Sequence, residues 1–421
     1  MLICRHLSYG KPDGNLPLAT SSHIGQKKIM QTLVLAVCMA DKMFIFLFLK
    51  KQDLKRCSIC RTLLAFICAT SFYSLYAQAG DEPSSSKGNV SASNLFKDEQ
   101  VLHLQLSANF RTVQKDRDDD PGYHPARLSY KNNDSVDVSI PVKIKARGNF
   151  RKDRSNCIFP PLWLNFPKHH DDSTGLFMDQ EKLKLVTHCQ GDQYVIREWL
   201  VYKLYNIVSD KSFRARLVKV DYIDSAAKLK VDSHYGILLE DEDEMAARNG
   251  AILLKRKMVP PQATDHEEYL KMTLFEYLIG NTDWSIPYLH NIKLISPDST
   301  HVPYTVAYDF DHSGIVDAPY ASPAEQLGIP SVRVRMYRGY CLPYTDFDET
   351  IKFYNEIKEK IYQVYTGCSL LPPKYIKATT AYLDDFYETI NNQKARLKEF
   401  GLPCTAEGKQ NILIKGLKGS D

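Results

Sequence analysis

The chain has 421 residues, 44% hydrophobic and 25% charged, a globular balance long enough for one large two-lobed domain or two smaller ones. Its net charge of +4 is unevenly placed: residues 1–79 hold 10 Lys and Arg against 3 Asp and Glu, which leaves the remainder near −3. A near-neutral body lacks the basic footprint that nucleic acid requires, so no nucleic-acid partner is expected.

The N-terminal part reads as a targeting segment. Lys50, Lys51, Lys55, Arg56 and Arg61 form a basic flank, and the apolar run 62–79 ends in Ala77-Gln78-Ala79, a small-residue cleavage pattern. Residues 1–79 are therefore expected to be a leader, cleaved near Gly80, with 1–42 an over-extended start and Met43 the first residue. The alternative is an uncleaved anchor at 62–79, near the shortest length that spans a bilayer. Phe66-Ile67 before Cys68 lacks the small residue of a lipoprotein site. The mature chain then starts with a Ser-rich linker over 80–99, has no membrane partner, and is secreted, periplasmic or held at the cell surface. Five of the ten cysteines lie beyond the leader: Cys157, Cys189, Cys341, Cys368 and Cys404. Wide spacing without a C-x-x-C pair argues against zinc and allows one or two disulfides plus an odd thiol, in a pairing the spacing leaves open.

From about residue 100 the chain alternates in strand fashion: 101–107, 136–149, 160–166 and 182–189. The acidic stretch 114–124 between the first two is a loop, and Asp118-Asp119-Asp120 a solvated turn, with calcium a distant second reading. Residues 192–210 form a helix with apolar residues on several sides, so it is expected to be buried. Strands return at 215–224 and 234–243. A helix over 265–280 leads to "NTDWSIPYLHN", and 290–295 with 304–310 form a strand pair. Helices close the chain at 346–365 and at 373–401, the latter bounded by Pro372-Pro373 and Gly401.

Between the two halves sit Asp283, Asn291, Asp309 and Asp311. Phosphoryl transfer needs a carboxylate to orient the attacking hydroxyl, hard oxygen ligands for Mg²⁺, and a cation on the phosphates. Asp283 suits the first task. Asn291 and Asp309 suit metal binding from either side of a short hairpin, with Asp311 a further metal ligand. Asp and Asn on turns also serve purely local hydrogen bonding, and that reading stands beside the catalytic one.

The region resembles the CotH family of atypical, spore-coat-type secreted kinases. The matching residues are Asp283, His290-Asn291, and Tyr308-Asp309-Phe310-Asp311 with Gly314, preceded in the same order by "RGN" (147–149) and "YGILLEDED" (235–243). The resemblance spans about residues 100–320. It implies an α+β, protein-kinase-like two-lobed fold over 100–401, with a strand-rich N-terminal lobe to about 260, a helical C-terminal lobe from about 265 and a tail at 402–421. It further implies ATP as co-substrate with Mg²⁺ or Mn²⁺, and transfer to a protein or glycan hydroxyl. Tyr308 stands where the family usually has Trp, and Phe150-Arg151 follows "RGN" where it has serines. The Lys-rich strand after RGN is replaced by "FPPLWLNF". Lys184, or Lys182 two residues before it on the same face of a strand, is the expected phosphate cation. Glu198 is its expected ion-pair partner, and Glu240 ends a strand where a hinge would meet adenine. A degenerate binding module and a calcium-stabilised adhesion domain are the competing readings.

Overall fold

Alternation builds the first half. In β1 (Leu102–Ala108) the buried positions Leu102, Leu104, Leu106 and Ala108 alternate with more exposed polar ones, and β3 (Asp137–Ala146) repeats the pattern with Ile140, Val142, Ile144 and Ala146. Such strands bury one face. With β2 (His124–Lys131), β4 (Leu162–Asn165), β5 (Lys182–Val186), β6 (Ala215–Asp224) and β7 (Asp232–Leu239) they form a closed seven-stranded barrel in the order β1-β2-β3-β4-β5-β7-β6. Neighbours are antiparallel except where β6 closes on β1 in parallel, Leu104 opposite Val220 and Leu106 opposite Tyr222. The barrel has its own core, including Leu104, Leu128, Ile144, Leu164, Leu183, Leu185 and Val220.

The structure is a computed structural model that describes residues 93–132, 134–168, 175–178, 180–226 and 231–416. The described residues belong to one compact unit. The expected leader, its cleavage site and the anchor alternative lie outside the described residues, as does most of the expected linker. The linker's last residues are packed: Leu95 is fully buried, its carbonyl accepts from Arg216, and Asp98 pairs with Arg216 at 2.8 Å. No helix among the described residues is long and apolar enough to cross a membrane.

β6 and β7 are buried on both faces at Arg216–Val218 and Ile237–Leu239. Val218, Val220 and Leu238 point into the barrel, whereas Leu217, Ile237 and Leu239 meet a second core. That second core forms around α2 (Asp192–Val208), whose buried side chains lie all round it, from Val195 to Val208. Burial on all sides explains the near-absence of a polar face in its sequence. Each large apolar side chain so enclosed contributes about 1.5–3 kcal/mol. α2 packs against β6 and β7, against α4 (His266–Ile279) and against α6 (Lys358–Thr366). A three-stranded antiparallel sheet, β8 (Ile252–Leu254), β9 (Ile292–Ser296) and β10 (Tyr304–Ala307), in the order β10-β9-β8, belongs to this second half. The molecule is thus a mixed α/β protein, strand-rich in its first half and helical in its second.

Several elements differ from expectation for local reasons. Part of the expected acidic loop is helix: α1 (Phe110–Lys115) is capped by Asn109, whose side chain accepts from Thr112 N. β2 begins at His124, where polar residues and Pro125 mask the alternation. The expected strand over 234–243 stops at Leu239. Asp241 then caps α3 (Glu242–Arg248), with Glu242, Asp243 and Glu244 in its first turn, where the helix dipole favours carboxylates. The expected helix 346–365 breaks at Ile357 into α5 (Asp348–Glu356) and α6. Asn392 divides 373–401 into α7 (Pro373–Asn391) and α8 (Gln393–Phe400), which it caps through Ala395 N.

Candidate active site

The turn that carries Asp283 begins where α4 ends. Gly280 caps the helix in the left-handed region (φ 68°), and a Cβ there would lie 2.1 Å from the Tyr382 hydroxyl. Only glycine meets both demands. Asn281 accepts from Asp283 N, and a bridge between Ser285 and His290 closes the next turn. The closure delivers His290 to Asp283: Nε2 donates to Oδ1 at 2.9 Å. Asn291 Nδ2 donates to the Asp283 carbonyl at 2.7 Å and to Oδ2 at 3.1 Å.

The β9–β10 ladder brings the second pair of residues alongside. Ile292 pairs with Ala307, so Asn291 just before β9 meets Tyr308 just after β10, and Tyr308 N donates to the Asn291 carbonyl. The next residue, Asp309, receives its position from α2, because its N–H donates to the Tyr202 hydroxyl at 3.0 Å. Leu289, Asn291 and Asp309 all adopt positive φ (52°, 51° and 63°). Three such non-glycine residues in one site cost about 1–3 kcal/mol each, a strain that clusters where geometry is functionally constrained.

Asp283, Asn291, Asp309 and Asp311 line one cavity of about 230 Å³, shared with His290, His312 and the "RGN" turn. Two arginines stand opposite the carboxylates. Arg151 Nη2 donates to Asp309 Oδ1 at 2.9 Å, its Nε lies 3.2 Å from Asp311 Oδ2, and its Nη1 lies 3.3 Å from Glu198 Oε2. Arg147 lies half-buried on the cavity wall beside the left-handed Gly148; burial lowers its guanidinium, and Asp309 works against that shift. Burial raises the Glu198 carboxyl, Asp311 and Asp309 raise it further, and Arg151 opposes them. Three carboxyl groups therefore converge on one buried guanidinium.

Glu198 faces this site, but its partner is Arg151 rather than Lys184. Lys184 is buried on β5 with its Nζ 3.9 Å from Glu242 Oε2, and Glu242 in turn is held by Lys293 at 2.5 Å. Burial, aided by Arg147, lowers the Lys184 ammonium to about 8, while Glu242 works against the shift. Its neighbour Lys182 lies over the Trp163 ring at 3.8 Å. Glu240 is enclosed by Arg248, which donates to both carboxylate oxygens at 2.9 and 3.0 Å, and by the Arg214 N–H. Its side chain is consumed in that network. The expected Lys184–Glu198 bridge is thus replaced by an Arg151–Glu198 bridge. Arg147 lies in the quoted "RGN"; for Arg151 nothing but its place just after that motif signalled a role.

The sequence raised one further metal reading, at Asp118-Asp119-Asp120, and the structure adds a second cluster. The side chains of Asp118, Asp119 and Asp120 lie on an exposed loop, Asp120 near Lys145. Among the described residues, His188, Asp232 and His234 gather their ligand atoms within 4.8 Å. The two imidazoles stack 3.5 Å apart and nearly parallel, so their in-plane lone pairs cannot converge on one ion unless a ring turns. His234 is already held between Asp192 at 2.8 Å and Asp232 at 2.9 Å. Two disulfides join Cys157 to Cys189 and Cys341 to Cys404, leaving Cys368 as the free thiol among the described residues.

No protein-family description matches this chain, and no curated protein is significantly similar to it.

Proposed function

We propose that the chain is a CotH-type phosphotransferase with a kinase-like two-lobed fold, acting outside the cytoplasm. It passes the terminal phosphate of ATP to a hydroxyl on a protein or glycan. The observation that carries this reading is the single cavity in which Asp283, Asn291, Asp309 and Asp311 meet Arg147 and Arg151. Oxygen donors on one wall and guanidinium groups on the other are the two halves of a site for a metal-bound phosphate. Two disulfides support an oxidising compartment.

The residues divide the work. Asp283 orients the acceptor hydroxyl and takes its proton. The acceptor oxygen bonds to the γ-phosphorus, the bond from that phosphorus to the β–γ bridging oxygen breaks, and ADP leaves. His290 and Asn291 fix the Asp283 carboxylate for that step. Asp309 and Asp311, with Asn291, would hold Mg²⁺ or Mn²⁺, which when bound neutralises phosphate charge. The donor set fits, because Asp309 and Asp311 already share one cationic group, Arg151. Arg151 takes the role expected of Lys184: it turns from the two aspartates to phosphate oxygens while Glu198 retains it.

Thermal-shift and γ-phosphate transfer assays on the purified full chain, with ATP and Mg²⁺ or Mn²⁺, test the reading. Metal-dependent stabilisation by ATP together with labelled acceptor is expected. Neither signal with any divalent metal overturns it. A nucleotide-binding module without transfer is the second reading. It is favoured by the Arg151–Asp309 ion pair, which occupies Asp309 Oδ1, and it requires stabilisation with no transfer.

A further inference from the structure

The C-terminal segment lies against Asp283. Gly416 (φ 132°) passes so close that a Cβ on it would sit 2.3 Å from His290 Nε2 and 2.7 Å from Asp283 Oδ1. Lys415 lines the adjoining cavity with His290, Leu289 and Lys293. A buried arginine holds the segment there. Arg338 Nη1 donates to the carbonyls of Thr282 and Trp284, which flank Asp283, and its Nη2 donates to the carbonyls of Asn411 and Ile414. One guanidinium therefore ties the Asp283 turn to the segment. The Cys341–Cys404 disulfide anchors the start of the segment three residues from Arg338.

A carboxylate that accepts a proton from an incoming hydroxyl must come within about 2.6–3.2 Å of it. His290 and Asn291 orient the Asp283 carboxylate, and the backbone of Gly416 stands over the approach beside Oδ1. The contacts that hold the segment are also informative about what the place accepts. Arg338 reads main-chain carbonyls, which any polypeptide offers and a glycan lacks. At Gly416 the fit is to bare backbone.

We propose that this face of Asp283 is a polypeptide-binding acceptor subsite, and that the chain's own Gly408–Gly416 segment occupies it in cis and must leave before an acceptor enters. The proposal rests on the reading of Asp283 as the group that orients the acceptor.

The test uses full-chain Gly416→Val, whose side chain cannot fit against His290, and a full chain with a protease site replacing Thr405–Glu407, cut after purification. A synthetic peptide of residues 405–416 is the probe. One readout is hydrogen exchange of the 283–291 amides with the rate of His290 modification by diethyl pyrocarbonate. The other is phosphate transfer to a denatured protein and to a polysaccharide. The proposal expects His290 to react at least 10-fold faster in both altered forms, and added peptide to restore protection in the cut form. It further expects transfer to the protein to rise, with the peptide competing against the protein acceptor and not against ATP. Unchanged protection in both forms overturns it, as does polysaccharide being the preferred acceptor. Release and peptide-restored protection without phosphate transfer from any form would support occupancy by the segment and overturn the kinase reading alone.

Discussion

Arg151 and Asp309 are 158 positions apart in the chain and 2.9 Å apart in the fold. The same guanidinium reaches Glu198 from α2 and Asp311 from the loop after β10, so it joins the barrel half to the helical half at the candidate site. Its environment is buried, with three carboxylates around it. That makes it a structural tie whose removal also takes a positive charge from the site.

Removing it should be costly and partly reversible. Arg151→Ala leaves buried carboxylates without their cation, which typically costs about 3–5 kcal/mol. A divalent cation can take its place between Asp309 and Asp311. Thermal denaturation with and without millimolar Mg²⁺ should show a large drop in Tm for the variant, with Mg²⁺ restoring more stability to the variant than to the wild type. Equal Mg²⁺ effects on both proteins would remove Asp309 and Asp311 as cation ligands.

Lys184 gives a pH-dependent signature. Its folded-state value is lowered from 10.5 to about 8. The unfolded chain then binds more protons at this group between pH 8 and 10.5, so stability rises with pH across that window; below pH 8 the full penalty is present. A shift of that size corresponds to about 3 kcal/mol. Lys184→Met should abolish this part of the pH dependence and stabilise the protein at pH 7. Urea midpoints measured from pH 7 to 10.5 check it, the wild type approaching the variant as pH rises. Parallel curves for the two proteins would count against a buried, destabilised ammonium.

The strand-rich half, the buried α2 and the β9–β10 pair were legible because each depends on local periodicity or on runs of apolar residues. The meeting of Asp283, Asn291, Asp309 and Asp311 was legible for a related reason: a short hairpin joins two polar turns, and chain geometry does the rest. Asp241 and Asn392 carried readable helix-capping signals that strand alternation and a long helical pattern overrode. The break at Ile357 had no local sign, since neither proline nor glycine marks it. The choice of Arg151 over Lys184 was not legible either. It depends on how the turn after β3 folds back over α2, a contact between residues 47 positions apart. Nor does any local pattern indicate that Arg338 clamps a segment more than 70 positions further on.

The Cys341–Cys404 disulfide closes 63 residues. Chain-entropy reasoning gives such a crosslink about 4 kcal/mol, larger for longer loops. Cys404→Ser should lower the urea midpoint and loosen the segment that lies over Asp283. Hydrogen exchange should therefore show faster exchange for 408–416 than for α4 in the variant. Uniform acceleration across both would mean that the crosslink stabilises the whole fold without a special hold on the segment.

The last prediction separates the two aspartates at the centre of the site. Asp309 and Asp311 are drawn to a shared cation, whereas Asp283 is held by His290 and Asn291 and is the candidate acceptor-side base. Asp309→Asn keeps the shape and removes a charge that would hold the metal on the phosphates. It should abolish metal-dependent stabilisation by ATP and phosphate transfer together. Asp283→Asn keeps the shape too, but removes the proton acceptor, so ATP should still raise Tm while transfer falls by about 10²–10⁴-fold. His290→Ala should be milder than either, because it removes one contact to Asp283 Oδ1 and leaves the carboxylate in place, so its transfer rate should lose less than that of Asp283→Asn. Calorimetric titration with ATP and Mg²⁺, run beside a single-turnover transfer assay, distinguishes the three. If Asp283→Asn and Asp309→Asn lose nucleotide binding to the same degree, the division of labour between the two turns is wrong, and the cavity is a binding site in which both carboxylates serve the nucleotide.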